Sequence, residues 1–210
     1  MNLIETREML LYTAEKMIDS EPTLTELDLK IGDGDHGIGM QRGFTAVRDL
    51  LQNDSFEPKD IGELFLTVGT KMMSSMGGAS GAIFGTLFRA GGKAIAEQQL
   101  FNSTTLSQFL IAGSAAVFAR GGAKPGDKTM IDALVAAEKQ SEKTVNEDLQ
   151  TALSSIANAA AQGAENTRNQ IAVFGRAKSL GERSLGHIDP GAVSMSLILK
   201  YMSDFVSKKD

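Results

Sequence analysis

Apolar residues recur at intervals of three and four through most of this 210-residue sequence, a spacing that predicts helices and argues against strands. The first helix is predicted around Leu3 to Ile18 and the second around Ile38 to Leu51. Six further helices are predicted near residues 59–76, 81–98, 105–120, 128–143, 147–172 and 189–207. We therefore expect an all-α protein, one helical domain over residues 1–210, folded as an eight-helix antiparallel up-and-down bundle or barrel.

Helix start signals support several of these boundaries. Thr104 and Asp127 are predicted helix caps. Asp189 followed by Pro190 fits a cap and a first helical residue. Two further prolines, Pro58 and Pro125, lie at or just before predicted helix starts.

Glycine is distributed unevenly among the connections between the predicted helices. The second, fourth and sixth connections have none, whereas the first, third, fifth and seventh are rich in it. These glycines are Gly32, Gly34 and Gly37; Gly77, Gly78 and Gly81; Gly121, Gly122 and Gly126; and Gly175, Gly181, Gly186 and Gly191. Alternate connections of an antiparallel bundle lie at the same end. We expect the four glycine-rich loops to converge there and to form the functional site, although glycine also ends helices without any such role.

Composition and charge exclude several classes of function. A formal net charge of -5 without a basic stripe argues against a nucleic-acid partner. The absence of cysteine excludes a disulfide scaffold, a thiolate zinc site and a cysteine nucleophile. The first residues do not resemble a secretory signal, and the longest weakly polar run, residues 110–119, is shorter than the ~18 residues a membrane span needs. We expect a soluble cytoplasmic protein with no membrane partner.

Three carboxylates are concentrated in the segment LDLKIGDGDHG, at Asp28, Asp33 and Asp35. Like charges so close together repel, and a hard divalent cation such as Mg²⁺ or Ca²⁺ would relieve that repulsion. An EF-hand is excluded because counting from Asp33 places Gly37 and Phe44 at ligand positions. The alternative is a solvated acidic turn.

The same segment matches the dinucleotide-binding pattern G-x-G-x-x-G, and Leu27, Leu29 and Ile31 before it alternate like a short strand. Two observations weigh against a dinucleotide fold. No repeated strands follow, and aspartates inside the motif would repel a bare pyrophosphate. With a cation between them, however, the aspartates would favour phosphate binding.

Two other loops could contact a phosphate. The segment MGGASGA, residues 76–82, opens a helix with exposed amides, and Ser80 adds a hydroxyl, so an anion is favoured there. The last loop carries Arg176, Lys178 and Arg183, cations that could neutralise a transferring phosphoryl group. The alternatives are small-residue helix packing for the first loop and a solvated basic surface for the second. A serine hydrolase triad is disfavoured because Ala82 stands where the nucleophile motif needs glycine.

Four motifs, IGDGDHG with Asp28 upstream, GGASG, GGAKPGDKTM and GRAKSLGERSLGHIDPGA, occur in this order across nearly the whole chain. Together they resemble the ADP-binding L subunit (DhaL) family of bacterial phosphotransferase-system-dependent dihydroxyacetone kinases. The resemblance implies an eight-helix antiparallel barrel with ADP and two Mg²⁺ at one end. That end is the one at which the glycine distribution independently places a site.

The resemblance also implies roles for individual residues. Asp28, Asp33 and Asp35 would hold the two Mg²⁺, and Arg176 would be the catalytic residue that stabilises the transferring phosphoryl group. Gly39 departs from the family pattern, in which asparagine or threonine is found, so only a backbone contact is expected there. The residues implied to contact ADP are His36, Gly37, Ile38, Gly39, Ala79, Ser80, Gly121, Met130, Arg176, Asp189, Pro190 and Gly191.

In this family ADP acts as a bound coenzyme. A phosphohistidine carrier subunit (DhaM-like) phosphorylates it in place to ATP, and the phosphoryl group passes to dihydroxyacetone or a related small ketose on a ketose-binding subunit (DhaK-like). The resemblance suggests a transcriptional regulator as a further partner. Two alternatives stay open: an ATP-exchanging nucleotide domain of the dihydroxyacetone or fatty-acid kinase type, and a non-catalytic nucleotide-sensing module.

Overall fold

The computed structural model describes residues 1–208, and the regular secondary structure in this part of the chain is all helical, without a strand. Nine α-helices are present: α1 Leu3–Asp19, α2 Glu21–Leu29, α3 His36–Leu51, α4 Ile61–Ser75, α5 Gly78–Ala94, α6 Ser103–Gly121, α7 Met130–Lys143, α8 Leu149–Asn166 and α9 Pro190–Val206. Two 3₁₀ segments, Thr167–Asn169 and Arg176–Ser184, lie between α8 and α9. None of the described helices has the length and apolar character needed to cross a membrane.

The eight predicted helices correspond to α1 and α3–α9. Each of them packs on the next along the chain, and α9 packs back on α1, so the ring is closed. The predicted antiparallel barrel is therefore confirmed. Its interior is a continuous apolar core that includes a cluster of aromatic rings, with the ring centres of Phe65 and Phe109 4.8 Å apart.

The short helix α2 was missed by the sequence analysis. It lies inside the first connection and packs on α3 and α9. Pro22 in its first turn is compatible with a helix start. Leu27 and Leu29 belong to its last turn, and the strand-like alternation noted there is wrong. With Leu24 and Asp28 as its buried residues, α2 has too little apolar surface to produce a clear helical period.

Two predicted caps are also wrong. Helix α6 is capped by Asn102, whose side chain accepts from the Thr105 amide at 3.0 Å, rather than by Thr104. Helix α7 is capped by Thr129, and the Asp127 carboxylate instead accepts from the Lys124 amide at 2.7 Å. In each case a nearby side chain that can also cap competes for the first backbone amides of the helix, which have no partner within it.

Other predicted bounds shift by a few residues. Helix α5 begins at Gly78, three residues before the predicted start. The predicted helix over 147–172 ends at Asn166, where a 3₁₀ turn takes over. The cap at Asp189 is confirmed, because its Oδ2 accepts from the Ala192 amide at 2.7 Å and Pro190 is the first residue of α9.

Candidate functional site

The four glycine-rich connections meet at one end of the barrel, as predicted, around an open cavity of about 740 Å³. With the exception of Gly37, every residue that the resemblance implies to bind ADP or metal lines this cavity, whereas Lys178 and Arg183 of the last loop do not. Gly37 lies in the first turn of α3 and is buried against α2. A Cβ at Gly37 would stand 2.2 Å from Thr25 Oγ1, so this glycine is required where the two helices cross.

The three aspartates gather at one side of the cavity. A carboxylate oxygen from each of Asp28, Asp33 and Asp35 lies within 4.8 Å of the other two. Asp28 is buried at the end of α2 and its Oδ2 accepts from the His36 amide at 3.2 Å. Partial burial and the neighbouring carboxylates of Asp33 and Asp28 raise the pKa of Asp35. The cluster is therefore a set of hard oxygen donors whose mutual repulsion a divalent cation would relieve, a donor set that fits Mg²⁺.

Arg176 lies next to these carboxylates. Its Nε is 2.9 Å from Asp33 Oδ2, and the Arg176 side chain is 76% exposed. An ion pair so open to solvent contributes little to stability. Its consequence is positional: a planar cation with free donors stands at the mouth of the cavity, beside the proposed metal ligands.

His36 joins three helices at the floor of the cavity. From the first residue of α3, its Nε2 lies 2.8 Å from Ser194 Oγ on α9 and its Nδ1 3.3 Å from Ser80 Oγ on α5. Burial lowers the pKa of His36 below its usual 6.5. The imidazole is therefore neutral at pH 7, and it acts as a hydrogen-bonding group that fixes Ser80 rather than as a cation.

The start of α5 is built to receive an anion. Gly77 and Gly78 both have positive φ, +75° and +57°, which only glycine adopts without strain. Arg42 donates from Nε to the Ser75 carbonyl at 2.8 Å and from Nη2 to the Met76 carbonyl, so this turn is held from α3. The first amides of α5 have no partner within the helix and are available to a ligand.

Part of the cavity wall is apolar. It is formed by Ile83, Phe84, Val117, Met130 and Ile131 from α5, α6 and α7. Met130 is nearly buried at the first position of α7. A cavity that combines an apolar wall with a cluster of carboxylates and helix-start amides suits a ligand that is flat at one end and anionic at the other.

A family model described as the DAK2 domain matches residues 30–204. The chain belongs to the DAK2 domain family. It is 39% identical over 182 residues to the PEP-dependent dihydroxyacetone kinase, ADP-binding subunit DhaL, of Escherichia coli K12, covering 86% of both chains. It is 38% identical to an ADP-binding DhaL subunit of Listeria innocua, covering 90% of this chain and 89% of that one. The predicted resemblance is confirmed.

This DAK2 domain also matches part of larger kinases. The D-erythrulose kinase of Mycolicibacterium smegmatis is 33% identical over 92% of this chain, which spans 34% of that protein. The dihydroxyacetone kinase from C. freundii in complex with AMP-PNP and Mg²⁺ superposes with a TM-score of 0.75 at 27% identity, over 94% of this chain and 33% of that one. The relatives are thus kinases that act on small ketoses.

Three polar residues of this DAK2 domain line or support the cavity but were missed by the sequence analysis. Arg42 and Lys128 line it, and Asp132 accepts hydrogen bonds from the amides of Gly126 and Thr129 at 2.7 and 2.9 Å. Lys128 belongs to GGAKPGDKTM, one of the motifs that carry the family resemblance, and this membership was the only signal in the sequence that could have identified it. The direction of its side chain depends on contacts with residues about 40 and 60 positions away along the chain.

Asp189 gives the DAK2 domain a pH-dependent stability. Burial raises its pKa from 3.8 to about 7, against the opposing effects of the Ala192 amide and Lys128, while Asp132 and Asp28 raise it further. Between about pH 4 and pH 7, Asp189 therefore keeps its proton in the native state but is ionised in the unfolded chain. Stability is lost as the pH rises through this window.

Substitution of Asp189→Asn keeps a cap for the Ala192 amide but removes the ionisation. The measured quantity is the free energy of unfolding of the variant minus that of wild type, from urea unfolding in EDTA. We expect this difference to be about 1–3 kcal/mol larger at pH 8 than at pH 5. Asp148→Asn is the matched control, because the Thr151 amide and hydroxyl lower the pKa of that exposed cap and it is ionised at both pH values. Equal shifts for the two variants would contradict the role of burial at Asp189.

Proposed function

We propose that this chain is the ADP-binding subunit of a phosphoenolpyruvate-dependent kinase of dihydroxyacetone or a closely related small ketose. The observation that carries the proposal is the cavity, which combines three carboxylates, a helix start, an arginine and an apolar wall at one end of a barrel. The relatives named as ADP-binding subunits match this chain over 86–90% of its length and almost as much of their own. This coverage favours the function of those subunits over that of the larger kinases, of which the chain matches about a third.

Within this proposal the aspartate cluster, Asp28, Asp33 and Asp35, would hold two Mg²⁺ against the phosphates. Magnesium bound there would neutralise charge on the phosphate oxygens. The buried carboxylate of Asp28 is already oriented by the His36 amide. Gly32 lets the chain pass close to that carboxylate, since a Cβ at Gly32 would stand 2.2 Å from Asp28 Oδ1.

The remaining residues would bind and orient the nucleotide. Backbone amides of Ile38 and Ala79, with the Ser80 hydroxyl held by neutral His36, would take the phosphates. The Gly39 amide already donates to the Asp35 carbonyl at 2.9 Å, so Gly39 would contribute only a close approach of its backbone. Met130, Gly121 and the Asp189–Gly191 start of α9 would bound the nucleoside. Arg176 would stabilise negative charge on the phosphoryl group during transfer. ADP would supply the terminal phosphate oxygen that accepts a phosphoryl group from a phosphohistidine and delivers it to a ketose hydroxyl.

The partners would be a phosphohistidine carrier subunit and a ketose-binding subunit, both cytoplasmic. We propose that the glycine-rich end docks on the ketose-binding subunit. Two cavity-lining residues at that end, Ile38 and Phe174, are 51% and 38% exposed and would be covered by such a partner. A crosslinking map with its contacts at residues 53–58, at the glycine-free end, would contradict this docking.

A second candidate function is an ATP-exchanging kinase. The similar dihydroxyacetone kinase structure holds AMP-PNP and Mg²⁺, and that protein is about three times the length of the segment matched here. In that case nucleotide would leave and enter in each cycle instead of remaining bound.

One experiment separates these functions. The freshly purified protein is dialysed extensively against nucleotide-free buffer with Mg²⁺ and then denatured, and the released nucleotide is quantified. About one ADP per chain supports the coenzyme function. Loss of nucleotide followed by rapid uptake of ATP supports the exchanging kinase. Failure to bind either nucleotide would contradict both and leave a metal-binding helical module or a regulatory role.

A further inference from the structure

Lys128 is a buried cation in the wall of the cavity. Its side chain is 1% exposed, although lysine is among the residues least often buried. The ammonium Nζ donates to the Thr167 carbonyl at 2.6 Å and to the His187 carbonyl. Both acceptors are backbone groups in the connection between α8 and α9, which carries Arg176.

The backbone of Lys128 has a conformation that would favour glycine at this position. Its φ is +60°, in the left-handed region that glycine adopts freely and other residues rarely do. The same loop uses glycine at 122 and 126 for its other positive φ values. Such strain persists only when surrounding structure imposes it, and it is concentrated at functional sites. The hydrogen bonds of the lysine side chain thus explain why this position is not glycine.

The two carbonyls mark the ends of one long segment. Residues 167–187 leave the end of α8, pass through Arg176 and return beside α9. Thr167 extends the junction, since its Oγ1 accepts from the Asp189 amide at 2.8 Å and donates to the Ala164 carbonyl. A single ammonium therefore ties the α6–α7 loop to both ends of the segment, and the Thr167 hydroxyl extends this connection to the residue that caps α9.

We propose that Lys128 is a positioning residue: by joining the two ends of the 167–187 segment, its ammonium sets the location of Arg176 and of the α9 start relative to the cavity. The expected effect of Lys128 on ADP binding and phosphoryl transfer rests on the proposed nucleotide-binding function. Its expected effect on the position of the 167–187 segment does not depend on that function. Lys128 itself is bonded to carbonyls and need not contact the transferring phosphoryl group.

Nearby charged groups shift the pKa of Lys128 in both directions. Burial lowers the pKa of Lys128, with Arg168 acting in the same direction, and the carboxylates of Asp189 and Asp132 oppose that shift. Asp132 also accepts from Gln170 Nε2 at 3.0 Å, so it holds the α6–α7 loop to the start of the same segment. A neutral side chain of similar length would fill the space without donating to either carbonyl.

The test compares Lys128→Met with Arg7→Met. Arg7 is a matched control because its guanidinium also donates to backbone carbonyls, those of Leu51, Asn53 and Phe56, but at the glycine-free end. Hydrogen exchange of the nucleotide-free proteins is measured first. We expect Lys128→Met to raise exchange in residues 167–192 and Arg7→Met to raise it in residues 51–56. Equal exchange in residues 167–192 of Lys128→Met and wild type would overturn the proposal.

Binding of ADP with Mg²⁺ and turnover with the two partner subunits are measured next. For Lys128→Met we expect ADP binding about tenfold weaker and phosphoryl transfer about 100-fold slower, since a displacement of about 1 Å at a positioned group can have an effect of that size. Arg7→Met should leave both within about twofold of wild type. Equal losses in the two variants would reduce Lys128 to a general stabilising role and overturn the inference. If wild type binds no nucleotide, the proposed function fails, while the exchange comparison still decides the role of Lys128.

Discussion

Asp33→Asn is expected to reduce phosphoryl transfer by roughly 10³-fold, because it removes one of the three carboxylates that would hold Mg²⁺. The change is isosteric and lies at an exposed position, so the free energy of unfolding should change by less than about 1 kcal/mol. Turnover is measured with the two partner subunits, and cation binding is measured with Mn²⁺ by electron paramagnetic resonance. Weaker Mn²⁺ binding should accompany the loss of turnover.

Asp49→Asn is the control for this variant. Asp49 is an exposed aspartate of α3 that pairs with its neighbour Arg48, away from the cavity. It should leave turnover and Mn²⁺ binding unchanged. Wild-type turnover in Asp33→Asn would show that the acidic cluster is a solvated turn, the alternative that the sequence alone leaves open. Lost turnover with unchanged Mn²⁺ binding would instead assign Asp33 a role through its ion pair with Arg176.

Arg176→Ala is expected to reduce phosphoryl transfer by roughly 10³-fold or more, the range seen when an arginine that stabilises a transferring phosphoryl group is lost. Binding of ADP should weaken much less, because the charge that Arg176 would stabilise develops during transfer. Arg176→Lys should recover only part of the activity, since an ammonium lacks the planar fork of donors. Single-turnover transfer and equilibrium ADP binding, measured on the same samples, separate the two effects.

Arg183→Ala provides the comparison within the same loop. Arg183 is exposed in the same 3₁₀ segment and does not line the cavity. Its removal should leave transfer within about twofold of wild type. If Arg176→Ala and Arg183→Ala lower transfer equally, the loop acts through its general positive charge. Equal losses of ADP binding and transfer in Arg176→Ala would point to ground-state binding instead.

The helical fold and the location of the cavity could be predicted from residue patterns. Eight of the nine described helices bury wide apolar faces, and such faces leave a period of three to four in any sequence that forms them. Glycine alternation between connections located the end that carries the cavity, because antiparallel packing places alternate connections together. The aspartates and Arg176 were recognisable by residue type, since cation and phosphate binding require particular donors.

Other features depended on tertiary contacts. Helix α2 has only Leu24 and Asp28 as buried residues, so its position depends on packing against α3 and α9 rather than on a period of its own. Gly37 belongs to a loop motif in the sequence, yet the crossing of α2 and α3 makes it a packing residue. The caps at Asn102 and Thr129 were chosen among adjacent residues of similar capping ability.

The sequence by itself therefore determined the helical class, the end of the barrel that carries the cavity and the residue types that face it, because these follow from local periodicity and donor chemistry. Only the tertiary structure decided how Lys128 and Asp189 are used. Lys128 reaches carbonyls 39 and 59 residues away, and the pKa of Asp189 depends on burial among elements distant in sequence. Burial and long-range hydrogen bonds are properties of packed helices, and no local pattern encodes them.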